Sequence, residues 1–170
     1  MITLRRLGIA TALAVTVTAA PSIPVDAVTT PVSGTFVLDD THSTCPDPPA
    51  AYSDYDPFII SGDLEGCWYT HIDRAWDLGP PTGLYFETGR ELFVGHIRDG
   101  DGGTFTTNYT FESRWDPDVA TGTEIWGRCQ HLIARGSGTG GLQGVTGFLA
   151  RTDTATDGSR GIYRGFVRQP

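Results

Sequence analysis

Residues 102–115 read GGTFTTNYTFESRW. Phe105, Thr107, Tyr109 and Phe111 fall on one side of an extended chain; Thr104, Thr106, Asn108, Thr110 and Glu112 fall on the other. Side chains of a strand alternate between faces, so this segment reads as a strand with a buried aromatic face. Its density of Thr, Tyr, Phe and Trp suits a pleated, half-buried surface.

The reading extends outward in both directions. Asp99-Gly100-Asp101-Gly102-Gly103 is a hairpin turn back to a strand at 83–97, and Asp116-Pro117-Asp118 breaks the chain before a strand at 122–134. Further strands are expected at 33–38, 58–73, 142–152 and 160–168, with a turn at Thr156-Asp157-Gly158-Ser159. No window carries a helical period. Seven or eight hairpin-linked strands predict an all-β fold, an antiparallel up-and-down β-barrel of about eight strands. A β-sandwich is the alternative. Long strands and short turns favour the barrel, because closure removes unpaired edges. Residues 39–57 form one long loop rich in Pro and Asp, a length that marks a functional or covering segment.

The faces of the other strands are less clean. In 122–134, Ile125, Gly127, Cys129, His131 and Ile133 read as inward, although Trp126 and Leu132 on the other face blur the pattern. In 83–97, Tyr85 and Phe93 share one face; Phe86, Leu92 and Val94 share the other. A strand apolar on both sides is covered on both, by a lumen inside and a loop or partner outside, which admits a homo-oligomer.

The chain has 170 residues, a net charge of −8, 22 glycines, and arginine as its only basic residue apart from histidine. Without lysine there is no P-loop, no kinase strand lysine and no Schiff-base chemistry. The acidic balance disfavours nucleic acid and anionic membrane surfaces. Residues 1–27 read as a secretory signal peptide: Arg5 and Arg6, an uncharged Leu7–Ala20 core, and Val25-Asp26-Ala27 as cleavage site. Pro21 and Pro24 cut the apolar run short of the about 20 residues a membrane span needs. The expectation is one exported domain. Residues 28–57 supply an N-terminal strand and the loop, residues 58–170 supply the rest of the barrel, and nothing spans a membrane after leader cleavage.

Export permits a disulfide among Cys45, Cys67 and Cys129. Three thiols allow three pairings. Cys67–Cys129 would close a long loop and stabilise by about 4 kcal/mol if unstrained; Cys45–Cys67 would tie the loop to a strand. No spacing matches a metal site, and no cofactor is implied.

Several motifs resolve to bland readings. Gly136-x-Gly138-x-x-Gly141 has the form of a dinucleotide fingerprint, but Leu142–Phe148 behind it is β-like where that fingerprint needs a helix. Asp99-Gly-Asp101 opens like a calcium loop, but its twelfth position is Thr110. No serine sits in a nucleophile elbow.

The candidate chemistry is Glu87, Glu91 and His131. His131 alternates inward with Cys129. Glu87 and Glu91 share the face of Tyr85 and Phe93. In a lumen, a carboxyl there would be a general acid or base; on the surface, it would pair with Arg90 and Arg98. Charged groups are rarely buried unpaired, which weighs toward the surface. Wall candidates for a ligand are Trp68, Tyr85, Phe105, Tyr109 and Phe111.

Six segments appear in a telling order: Ser61-Gly62-Asp63-Leu64-Glu65-Gly66, Cys67-Trp68-Tyr69-Thr70, Glu87–Gly95, Gly127-Arg128-Cys129-Gln130-His131, Gly138–Gly147 and Tyr163-Arg164-Gly165. Over residues 58–168 this order resembles secreted bacterial barrel proteins of the allene oxide cyclase-like and dirigent superfamily. The resemblance implies an eight-stranded antiparallel barrel with an apolar lumen, and a Cys67–Cys129 bridge. It also frames three functions: a barrel binding a small hydrophobic ligand, a cyclase or isomerase using Glu91 or His131, and a non-catalytic cell-surface protein with a solid barrel.

Overall fold

The computed structural model describes residues 28–154 and 158–170. The expected leader, residues 1–27, lies outside the described residues. Among the described residues nine strands follow in chain order: β1 Val28–Leu38, β2 Phe58–Gly62, β3 Leu64–Asp77, β4 Leu84–Ile97, β5 Gly103–Asp116, β6 Thr123–Ile133, β7 Thr139–Gly140, β8 Thr146–Asp153 and β9 Arg160–Gln169. A single 3-10 turn, Ala50–Tyr52, interrupts the long loop.

Eight strands close into an antiparallel barrel. The ring runs β1-β2-β3-β4-β5-β6-β8-β9 and returns to β1, with β4 paired to β5. The two-residue β7 lies outside the ring, against the start of β5. Chain order and ring order thus coincide, the up-and-down topology that sequential hairpins give.

Three expectations about the strands need correction. The stretch 58–73 is two strands: the chain reverses around Asp63, whose carboxylate accepts the Ser33 N–H at 2.8 Å and the Arg98 guanidinium at 2.9 Å. The stretch 142–152 starts late, because Leu142–Val145 is a turn whose two end residues are fully buried. On β6, Ile125 points outward, 55% exposed, and Glu124 points in. The β5–β6 register skips Ile125, pairing Arg114 with Trp126 and Trp115 with Glu124. That bulge turns over every residue before it.

The barrel interior is packed at one end only. Phe36, Leu64, Trp68, Phe93, Phe105, Leu149 and Val167 fill that end, stoppered by Leu142 and Val145. Phe93 and Phe105, opposite each other on β4 and β5, stack at 4.9 Å between centroids, and Trp68 meets both rings. Each such buried ring contributes about 2 kcal/mol of apolar transfer. Outside, Trp76 of β3 stacks on Phe86 of β4 at 5.3 Å, which accounts for part of the apolar outer face of β4.

The long loop, residues 39–57, packs on the outer wall at the other end. β2 has five residues, so the second half of β3 lacks a strand on that side. The loop fills the gap: the Asp54 N–H donates to the Thr70 carbonyl at 3.2 Å, and the Ile72 N–H donates to the Asp54 carboxylate at 2.7 Å. Asp39 anchors the loop's start by accepting the N–H groups of Ser43, Thr44 and Cys45. These donors, Cys45 foremost, hold its carboxyl well below the ordinary range. The Tyr69 hydroxyl reaches the Pro46 carbonyl at 3.3 Å, and the His42 ring bridges Asp47 and Asp56.

A disulfide completes this attachment, joining Cys45 to Cys67 with Cα atoms 5.7 Å apart. The Cys67–Cys129 pairing is therefore wrong. Trp68, the neighbour of Cys67, points into the barrel, so Cys67 points out; Cys129 points in, and β4 and β5 stand between their strands. Cys129 is a free, buried thiol.

Candidate functional site

The unpacked end of the barrel holds a cavity of about 390 Å³. That volume suits one small molecule. Leu38, Phe58, Tyr85, Phe111, Trp115 and Val119 form most of its apolar wall. Tyr55 enters it from the loop, through the gap that the short β2 leaves. Trp115 is oriented by its indole N–H, which donates to the Ser113 hydroxyl at 2.9 Å.

Glu87 sits inside this wall, 3% exposed, and it does not face solvent. Three phenols donate to its carboxylate. Tyr55 and Tyr85 converge on Oε1, Tyr85 at 2.6 Å, and Tyr109 reaches Oε2 at 3.1 Å. Tyr85 lies two residues along the same strand, hence on the same face. Tyr109 comes from β5, where it pairs with Gly89. A Cβ on Gly89 would stand 2.6 Å from the Tyr109 ring, so the glycine makes room for the phenol to lie across β4. Burial first, and then the nearby Glu87 carboxylate, push all three phenols above their ordinary range. They stay neutral and remain donors. This explains how a carboxylate is tolerated here: its oxygens are hydrogen-bonded.

Below it lies a second buried carboxylate. His131 Nδ1 is 2.5 Å from Glu91 Oε2, and the Thr107 hydroxyl donates to the same oxygen at 3.1 Å. The Arg151 guanidinium is 3.7 Å from Oε1. Burial pushes the Glu91 carboxyl up, but the charge and hydrogen bond of His131, with Arg151 behind them, outweigh it and leave it below its ordinary value. Arg151 itself lies in the corner of two edge-on rings, its guanidinium carbon 3.8 Å over the Phe36 ring and 4.5 Å over Phe58. The His131 ring meets Trp68 edge-on at 5.3 Å. Cys129 is pushed well up, by burial and then by Glu91, so it is a neutral thiol rather than a nucleophile.

A third acidic group stands higher in the cavity. Glu124 of β6 and Asp153 of β8 both line it. A Cβ on Gly127 would stand 2.1 Å from Asp153 Oδ2 and 2.4 Å from Glu124 Oε1, so the two carboxyls meet over that glycine. Burial raises the Asp153 carboxyl, against the pull of Arg151. Two carboxyls in contact disfavour each other's ionisation.

The sequence-derived candidates therefore divide. Glu87, Glu91, Tyr85, Tyr109 and Phe111 line the cavity, while Trp68 and Phe105 belong to the packed core beneath it. His131 stands behind Glu91, fully buried and away from the cavity wall. Tyr55, Glu124, Arg151 and Asp153 were not anticipated. Alternation in β8 places Arg151 and Asp153 with buried Leu149, a signal present in the sequence. Nothing local announces Glu124, which depends on the bulge, or Tyr55, which depends on the loop's path.

Comparison with known protein families, with curated proteins and with solved structures finds no match. The closed eight-stranded barrel agrees with the fold that the sequence resemblance implies.

Proposed function

We propose that this chain is an exported barrel that binds a small, largely apolar molecule in the open half of its lumen. The observation that supports this most directly is the asymmetry of the interior. One end is filled by interlocking rings. The other keeps a cavity of about 390 Å³ with an apolar wall and buried polar groups at its base. A barrel serving only as a surface scaffold gains nothing from forgoing core at that end. Export is supported by the leader-like first segment and is compatible with the disulfide.

The test is mass spectrometry of small molecules that copurify with the protein under non-denaturing conditions. It is followed by titration of the recovered compound against tryptophan fluorescence, which Trp115 at the cavity reports. A retained hydrophobic compound that shifts this emission in the wild type, and not in Trp115→Phe, supports binding. A lumen that retains nothing and answers to no apolar probe refutes it.

A second reading, a cyclase or isomerase, is favoured by one observation: Glu91 lines the cavity floor with His131 hydrogen-bonded behind it. Glu91 would then move a proton on a substrate folded by the walls, and His131 would position it. Once a ligand is known, Glu91→Gln that retains binding but loses turnover supports catalysis. Chemically unchanged ligand after incubation with the wild type refutes it.

A further inference from the structure

The cavity wall is unbalanced in charge. Glu87, Glu91, Glu124 and Asp153 face it, against one guanidinium, Arg151. His131 stands close by, and both it and Arg151 engage Glu91. Glu87 receives three phenols instead, and phenols satisfy oxygen lone pairs without cancelling charge. The cavity thus carries net negative charge even when Glu124 and Asp153 hold one proton between them.

Beside Leu38 and Val119, the apolar part of the wall is aromatic: Phe58, Tyr85, Phe111 and Trp115 contribute rings, with Tyr55 across the gap. Ring faces are electron-rich and attract cations. The lumen already shows this, because the Arg151 guanidinium lies against the faces of Phe36 and Phe58. An anionic ligand would meet the opposite conditions. It would add to three neighbouring acidic groups, and the one guanidinium is already turned to Glu91.

Building on the binding reading above, we propose that the cavity is selective for a cationic ligand, an alkyl- or arylammonium group carried on an apolar body. The ammonium sits among Glu87, Glu124 and Asp153, and the apolar body lies against the rings. Entry of the cation favours ionisation of both Glu124 and Asp153, so any proton held between them is released to solvent. The groups facing that pair are Arg151 and His131, which favour its ionisation, and Glu91 and Glu87, which oppose it.

The experiment compares three probes of similar size on the full chain as secreted, by calorimetry and fluorescence. They are benzyltrimethylammonium, its neutral isostere neopentylbenzene, and phenylacetate. The ammonium is expected to bind about tenfold or more tighter than the isostere, with phenylacetate weakest. The double variant Glu124→Gln with Asp153→Asn is expected to erase most of that preference while keeping the isostere's affinity. That retained affinity separates lost charge from lost folding. Calorimetry in buffers of different ionisation enthalpy is expected to show proton release on ammonium binding. Equal or tighter binding of neopentylbenzene overturns the charge selectivity and leaves the binding reading standing. Tightest binding of phenylacetate overturns it in favour of Arg151 as the anchor. A barrel that takes none of the three overturns both this inference and the binding reading beneath it.

Discussion

Tyr55 and Glu87 stand 32 residues apart in the chain and share a hydrogen bond at the wall of the barrel. The tyrosine comes from the loop and the glutamate from β4, so this bond fastens the loop to the cavity it covers. Tyr55 is 40% exposed, which lets water compete for the phenol. Tyr55→Phe should therefore cost about 1 kcal/mol, and the deeper Tyr109→Phe about 2 kcal/mol, in urea denaturation. Tyr55→Phe should also speed ligand exchange, seen as a faster off-rate with unchanged core fluorescence. An unaltered off-rate would mean that the loop does not gate the cavity.

Glu91 should contribute to the acid limb of stability, as Asp39 does at the loop's start. Its carboxyl lies below its ordinary 4.5 in the folded chain, because His131 and Arg151 outweigh burial. A depressed carboxyl stabilises fully above the unfolded value, and that contribution fades as pH falls from about 4.5 through the folded value. Glu91→Gln strands His131 and Arg151, so it should cost about 3 kcal/mol at pH 7. The gap between variant and wild type should narrow below pH 4.5. Thermal melts from pH 7 to pH 3 would show this; a gap that stays constant across the range would contradict it.

Asp153 carries the opposite sign. Burial raises its carboxyl above the ordinary 3.8. The folded chain then holds the proton more tightly than the unfolded one, so ionisation costs stability. That cost is absent below about pH 3.8 and grows until pH passes the raised value. Asp153→Asn keeps the shape and can donate to Glu124, so the variant should melt higher than wild type at pH 7 and with it at pH 3.5. A lower melting point at pH 7 would mean that the aspartate's charge stabilises the fold.

Much of this architecture is legible in short patterns, and the misses share a cause. Phe105, Tyr109 and Phe111 alternate cleanly because β5 pairs regularly over most of its length, and period two is then a sufficient guide. Glu87 and Glu91 could be assigned to a face but not to the lumen, because what permits their burial comes from elsewhere: Tyr55 from the loop, Tyr109 from β5, His131 from β6 and Arg151 from β8. The resemblance pairs Cys67 with Cys129 through similar-looking motifs, while the residues alone leave the observed Cys45–Cys67 pairing open. Alternation alone sets Cys67 on the opposite side of the wall from Trp68 and so from Cys129. Glu124 was hidden by a bulge, which one strand's sequence does not reveal without its partner's register.

The cysteine arrangement yields its own expectation. Peptide mapping without reduction should recover Cys45 linked to Cys67, and Cys129 as a free thiol. Cys129 is buried and its thiol pushed up, so alkylation should be slow in the native protein and rapid in urea. The bridge closes a segment of 22 residues, so reduction should cost about 3 kcal/mol and free the loop first. Cys129→Ala should leave the bridge intact. A Cys67–Cys129 peptide in the map would overturn both the pairing and the facing of β3 and β6.

Gly89 offers the sharpest probe of whether the Glu87 cradle is built into the wall. It lies on β4 between Glu87 and Glu91, its inner side beneath the Tyr109 ring. A Cβ there would meet the His71 carbonyl oxygen at 2.1 Å and the Tyr109 ring at 2.6 Å. The ring can swing aside; the backbone oxygen of the neighbouring strand cannot without opening the β3–β4 ladder. Gly89→Ala should therefore destabilise by about 1–3 kcal/mol. Because the ring must also leave Glu87 Oε2, the variant should lose cavity binding beyond what its stability predicts. Tyr109→Phe removes the same phenol without the backbone clash, so the two variants separate the effects. Equal stability loss in both would place the whole cost in the hydrogen bond. A Gly89→Ala protein with wild-type stability and wild-type binding would show that the strand has slack here, and that the close approach of Tyr109 across β4 is not what shapes the site.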